Sequence, residues 1–169
     1  MENRELRMYG LVMYNISPIQ QGIQFGHAVV EYAQKWFDTE EYQEWATKHK
    51  TFMILNGGTS NHTKNRYSNE MGVYGTMEKN MIELDSMKIP NAAFFEPDLN
   101  DALSAVVFLV DDRVFDREKW PNYEGPYYKE TEIPVESAYW SWKMRFADTE
   151  EEADRILQMR NWLTKFRLA

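Results

Sequence analysis

The sequence predicts an α/β sandwich with a mixed sheet, and three observations carry that reading. Short apolar runs and helix-period segments follow one another in the order strand, helix, helix, strand, helix, strand, strand. A length of 169 residues suits one compact domain with a real core. A hydrophobic share of 43%, with 15% aromatic, is enough to fill that core.

"RMYGLVMY" (Arg7 to Tyr14) reads as a buried strand. It runs into a helix start in which Ser17 is the N-cap, Pro18 takes the first helical position and Gln20 completes a capping box. Along this helix Ile19, Ile23, Gly26, Val30, Ala33 and Phe37 form the expected packed stripe, with Gln20, Gln24, His27 and Glu31 on a neighbouring face. Gly22 and Gly26 each weaken a helix by roughly 1 kcal/mol relative to Ala, so a close approach to the sheet or to a ligand is expected to compensate. "DTEEYQEWATKHK" reads as a short helix capped by Asp38 or Thr39, and Thr51 to Leu55 as a strand. That strand ends in a long polar loop starting "NGGTSN", whose residues Asn56, Gly57, Gly58 and Thr59 could offer backbone N–H groups to an anion. Thr76 is the expected cap of a helix with Met77, Met81 and Leu84 on its apolar face. "NAAFFEPD" and "SAVVFLVDD" read as two strands joined by a bend at "LND".

Residues 7–112 thus form the α/β core of a single domain spanning 1–169. Residues 115–147 hold nine aromatics, three prolines and a glycine without a clean period, and read as an ordered excursion or lid. Most of those aromatics are expected to pack, with Tyr127 and Trp140 as candidates to face a base. Residues 148–168 read as a final helix, capped by Asp148 and Glu151, with Ile156, Met159, Leu163 and Phe166 on its packed face.

Nineteen Lys and Arg against 27 Asp and Glu leave a net charge of −8. Long phosphate backbones are gripped by basic stripes, so this balance disfavours extensive nucleic-acid contact and leaves room for a small charged ligand. There are no cysteines, which excludes disulfides and thiolate metal sites. No apolar run approaches a membrane span, and "MENRELRMYG" lacks a signal-peptide profile, so a cytoplasmic setting is expected. "NHT" at Asn61 to Thr63 is read as a chance glycosylation pattern, and His49 and His62 as surface residues. Asp98, Asp101, Asp111 and Asp112 have no spacing that enforces metal binding; neither metal nor cofactor is expected.

The stretch Gln24-Phe-Gly-His27-Ala28, followed later by "IPNAAFFEPDLND", resembles the type II peptidyl-tRNA hydrolase family over roughly Met8 to Val110. That resemblance implies a four-stranded mixed sheet sandwiched by helices. It also implies a site built from Gln24 and His27, with Glu96 where the family has Asp and Asn100 where it has Thr. The family's Lys falls on Gln20, a departure. "LNGGTS", "EPDLN" and "NWLTKFRLA" are also similar to segments of a group of bacteriophage proteins related to that family.

The expected site therefore has His27 and Glu96 as catalytic residues, Glu96 orienting the imidazole or stabilising its charge. Gln20, Gln24, Asn56, Gly57, Gly58, Thr59, Asp98 and Asn100 are its candidate substrate contacts. Such parts suit metal-independent hydrolysis of a nucleotide-borne ester. The favoured substrate is a small cyclic nucleotide serving as a host immune signal. Release of peptides from tRNA and non-catalytic sequestration of a nucleotide are the alternatives. A homodimer is compatible with the aromatic content.

Overall fold

The computed structural model describes residues 3–61 and 74–169, which divide into two compact units. The first comprises Met1–Val110 and Phe166–Ala169, the second Asp111–Lys165. The aromatic-rich segment and the final helix, read separately in the sequence, thus fall together in the second unit. His62, Thr63 and most of the long polar loop lie outside the described residues.

The first unit is α/β, built on a four-stranded mixed sheet in the order β2-β1-β4-β3. Its strands are β1 (Leu6–Met13), β2 (Thr51–Gly58), β3 (Asn91–Glu96) and β4 (Ala102–Asp111). β1 and β2 run parallel, with Gly10 opposite Ile54, whereas β3 and β4 are antiparallel, with Ala93 opposite Val106. The two central strands are buried along nearly their whole length, which is why they read as continuous apolar runs. Backbone bonds from Asn56 N–H to the Arg167 carbonyl (2.9 Å) and from Ala169 N–H to the Ile54 carbonyl (2.9 Å) place the chain's last residues along the edge of β2.

α1 (Pro18–Trp36) starts as its sequence dictates: Ser17 Oγ accepts from Gln20 N–H at 3.2 Å and Pro18 follows the cap. Its buried face differs from the stripe expected. Phe25, Ala28 and Tyr32 pack with Met8, Val12, Ala105 and Val107, while Ile19, Ile23, Gly26, Val30 and Phe37 are exposed. Two stripes of 3.6-residue period run along this helix, and the aromatic one is buried because it matches the sheet. The closest approach is at Gly10, where any β-carbon would collide with the Phe25 ring and Val107. By contrast, Gly22 and Gly26 face open space, so the expected close approach to the sheet is absent there.

After α1, Thr39 caps α2 (Glu40–Glu44), which widens into a π-helical turn over Trp45–His49. His49 has a structural use: its Nδ1 accepts from Leu6 N–H at 3.1 Å. α3 (Thr76–Ser86) buries Met77 and Leu84 completely. Its N-cap is Gly75 rather than Thr76, whose Oγ1 instead accepts from Thr59 N–H at 2.8 Å.

The second unit contains more regular structure than its composition suggests. α4 (Asp112–Phe115) and α5 (Glu136–Lys143) both contact α6 (Glu150–Leu163), and β5 (Tyr127–Tyr128) pairs with β6 (Ile133–Pro134) in a minimal hairpin. Thr149, one residue later than expected, caps α6 by accepting from Glu152 N–H at 3.3 Å. Ile156 and Met159 are buried as expected, joined by Ala153, Arg160 and Trp162. The aromatics mostly pack: Tyr123, Tyr139, Trp142, Phe146 and Trp120 form a chain of rings with centroids 5.1–5.7 Å apart. Tyr127 and Trp140 remain about half exposed. Among the described residues, no helix is long and apolar enough to cross a membrane.

Candidate functional site

The directions of α1 and β3 bring the predicted residues together. Near the start of α1, Gln21 Nε2 donates to the Met13 carbonyl and Gln24 Nε2 to Glu96 Oε2. Near its end, Lys35 Nζ and Trp36 Nε1 donate to the Asn91 carbonyl at 3.3 and 3.1 Å. α1 thus runs opposite to β3 as well as to β1, whose Gly10 meets Phe25. It follows that β1 and β3 point the same way, and their carboxyl ends share one edge of the sheet, where open α/β folds place their ligands.

Gln24 is the centre of the cluster. Its side chain is 1% exposed, and both ends of its carboxamide are used. Nε2 donates to Glu96 Oε2 at 2.6 Å and lies 3.5 Å from Gln20 Oε1, while Oε1 accepts from Ser104 Oγ at 2.6 Å. An ionised carboxylate can only accept and a hydroxyl can donate, so this network permits one orientation of the amide. Gln20 is consequently turned toward Gln24, rather than back to the Ser17 backbone as a capping box would have it.

The other oxygen of Glu96, Oε1, accepts from Asp98 N–H at 3.2 Å, and its backbone carbonyl accepts from Asp101 N–H at 3.0 Å. A single 3-10 turn, Pro97–Leu99, followed by left-handed Asn100 and Asp101, folds the chain tightly enough to make both bonds. The hydrogen bond from Gln24, assisted by Asp98 N–H and by the nearby His27, holds the Glu96 carboxyl below its ordinary range despite some desolvation. Folded Glu96 therefore titrates below its unfolded value. Its tie to Gln24 contributes stability at neutral pH and is lost on acidification through the folded pKa. Replacing Gln24 with Met is expected to move the Glu96 titration upward toward the ordinary glutamate value. Carboxyl carbon NMR across an acid titration would read this; an unmoved midpoint would assign the shift to the turn instead.

His27 lies one turn beyond Gln24, exposed to solvent, with its ring stacked on Phe94 at 4.5 Å and 19°. Of the two roles expected for Glu96, orienting the imidazole or stabilising its charge, the geometry departs from the first. The Glu96 bonds described above go to Gln24 and Asp98 N–H, so its influence on His27 is through charge, while Phe94 sets the plane of the ring.

Not every candidate joins this cluster. Asn56, Gly57 and Gly58 belong to β2 rather than to a loop. The Gly58 N–H donates to Asn56 Oδ1 (2.9 Å) and that of Thr59 to Thr76 Oγ1, so these donors are committed within the protein. Gly58 has φ +89°, the conformation its missing side chain permits, and its carbonyl accepts from Tyr14 N–H at 3.0 Å. The end of β2 lies at the same edge as Glu96 but three strand positions away, about 14 Å at ordinary strand spacing. Asp98 and Asn100 flank Glu96 in its turn. Asp111 and Asp112 lie in the second unit, ion-paired with Arg113 and Lys119. No group of three or more His, Asp or Glu is placed to share an ion among the described residues.

Sequence reasoning missed Ser104 and Phe94. Ser104 is the one hydroxyl in "ALSAVVFLV", and a polar residue in so apolar a strand signals a buried partner. Two shallow grooves also continue along the α1–β3 seam. One, of about 350 Å³, is lined by Glu31, Gln34, Lys35, Ala92 and Ala93. The next, of about 290 Å³, includes Lys35, Asp85, Lys88 and Pro90. Neither includes His27 or Glu96; they lie farther along the same seam and contribute two lysines.

No protein-family profile matches this chain, and no curated protein matches it. The geometry of the Gln24 cluster is therefore the basis for assigning a function.

Proposed function

We propose that this protein is a hydrolase of the type II peptidyl-tRNA hydrolase fold that cleaves an ester carried by a nucleotide, with a small cyclic nucleotide as substrate. The observation that carries the reading is the buried Gln24 amide, which ties Ser104 to Glu96 and so fixes a carboxylate near an exposed, ring-stacked imidazole. Imidazole can both accept and return a proton near neutral pH. Glu96, kept ionised by its hydrogen bonds, stabilises the cation that forms when His27 takes one.

In a phosphodiester with a neighbouring ribose hydroxyl, His27 takes the 2′-hydroxyl proton as that oxygen bonds to phosphorus. The bond from phosphorus to the leaving 5′-oxygen then breaks, and the imidazolium returns the proton to it. This step leaves a 2′,3′-cyclic phosphate; hydrolysis is completed when His27 takes a proton from a water that attacks the phosphorus and returns it to the departing 2′-oxygen, so no net proton is consumed in either step. The grooves beyond His27 carry Lys35 and Lys88 balanced by Glu31 and Asp85; Lys35 lies about 12 Å along the helix from His27. Grooves without excess positive charge, and a net charge of −8, suit a small ligand better than the long anionic helix of tRNA. The setting proposed is a cytoplasm, that of a bacterial host in which the nucleotide is an immune signal.

Incubation with a panel of cyclic di- and trinucleotides, followed by chromatography, tests this directly. Linear products support the proposal, whereas intact nucleotide retained on the protein would favour sequestration. If the panel is neither cleaved nor retained, and peptidyl-tRNA is hydrolysed instead, the substrate assignment fails and the tRNA reading takes its place.

A further inference from the structure

The face of α1 opposite the sheet is an exposed apolar surface, outside the core formed by the described residues. Ile19 is 76% exposed, Phe37 64%, Val30 56% and Ile23 44%. Together these side chains present roughly 500 Å² outward, a large share of the about 800 Å² that each partner commonly buries in a stable interface. Gly22 and Gly26 border the stripe one turn apart. Neither has a positive φ, and a β-carbon on either would meet nothing within 4 Å. Nothing in the described fold calls for glycine at these two places, although glycine weakens a helix.

We infer that this face is where a second copy of the chain docks, α1 against α1 about a two-fold axis near Gly26. Three features favour a copy of the chain over a different partner. First, spacing makes the stripe self-complementary: an antiparallel crossing centred on Gly26 sets Ile19 against the partner's Ala33, and Val30 against the partner's Gly22. A large side chain thus meets a small one at these two pairs, on either side of the Gly26 crossing, as helices packing ridge into groove require. Second, the two glycines let the backbones approach closely at the crossing. Third, α1 carries only two charged residues, Glu31 and Lys35, and both line the groove beside β3. Two chains of net charge −8 can therefore meet on this stripe without bringing like charges into contact.

Sedimentation equilibrium of the full chain, over a concentration series, tests the inference. A dimer mass is expected for the wild-type protein. Val30→Glu, which sets two carboxylates facing apolar groups, is expected to weaken association at least 100-fold with an unchanged circular dichroism spectrum, since the position is exposed. The double variant Gly22→Ala/Gly26→Ala should separate folding from docking. Its thermal midpoint, measured where the chain is monomeric, is expected to rise, while its dimerisation weakens at least tenfold. A wild-type chain that stays monomeric at every concentration would overturn the proposal. So would a dimer indifferent to Val30→Glu, or alanine variants that associate as tightly as the wild type.

Discussion

His27→Ala is expected to lower turnover of a cyclic nucleotide by about 10²- to 10⁴-fold, the range commonly lost with an acid–base group. The fold should be preserved, because the imidazole is exposed and its main neighbour is the face of Phe94. Glu96→Gln provides the partner measurement. It retains a side chain that can accept hydrogen bonds at one end but removes the charge beside the imidazole, so the rate should fall less than with His27→Ala. A rate unchanged by His27→Ala, in protein shown to be folded, would end the catalytic assignment. A Glu96→Gln variant that turns over as fast as the wild type would show that the carboxylate only supports its turn.

Arg160→Ala should be the most damaging change to the second unit. The guanidinium is buried, and it donates to the Arg113 carbonyl at 2.6 Å and to the Trp120 carbonyl and Asn122 Oδ1 at 2.9 Å each. It also lies over the Phe146 ring, 4.8 Å from the centroid. Burial, and then the charge of Arg117, pulls its pKa down to about 10. The cation is therefore held against a desolvation cost by its three acceptors and the ring. Removing it orphans the Arg113 and Trp120 carbonyls at about 1 kcal/mol or more each, whereas exposed Asn122 can turn to water, and adds a packing loss at Phe146. A loss of roughly 3–5 kcal/mol is expected. Arg160→Met, which restores volume but no donors, should recover only the packing part. Native-state amide exchange across residues 111–165 would report the loss where it occurs. A change below about 1 kcal/mol would indicate that water replaces the guanidinium at all three acceptors.

Polar residues found their places from the sequence more reliably than apolar ones did. Ser17 and Pro18 begin α1 as read, because a cap is a local bond between neighbours in the chain. Thr149 displaced Asp148 as the cap of α6, and Gly75 displaced Thr76 at α3, each by one residue; adjacent residues able to begin a helix compete on nearly equal terms. The apolar face of α1 was misread because both stripes have the right period. The choice between them depends on which one meets Gly10, Val12 and Val107, residues of two other strands. Ser104 escaped notice for a similar reason: its partner, Gln24, is 80 residues away.

By itself, then, the amino-acid order determined the succession of strands and helices from β1 to β4 and two of the four caps expected, Ser17 and Thr39. Those depend on hydrogen bonds and side-chain periods within a few residues, which a linear reading contains. Only the tertiary structure decided which side of α1 is buried, that Gln24 clamps Glu96 to Ser104, and that the Gly57–Gly58 segment is strand rather than anion cradle. Each of these depends on the sheet order β2-β1-β4-β3, which brings distant segments side by side and lets burial select among alternatives that local energetics leave nearly equal.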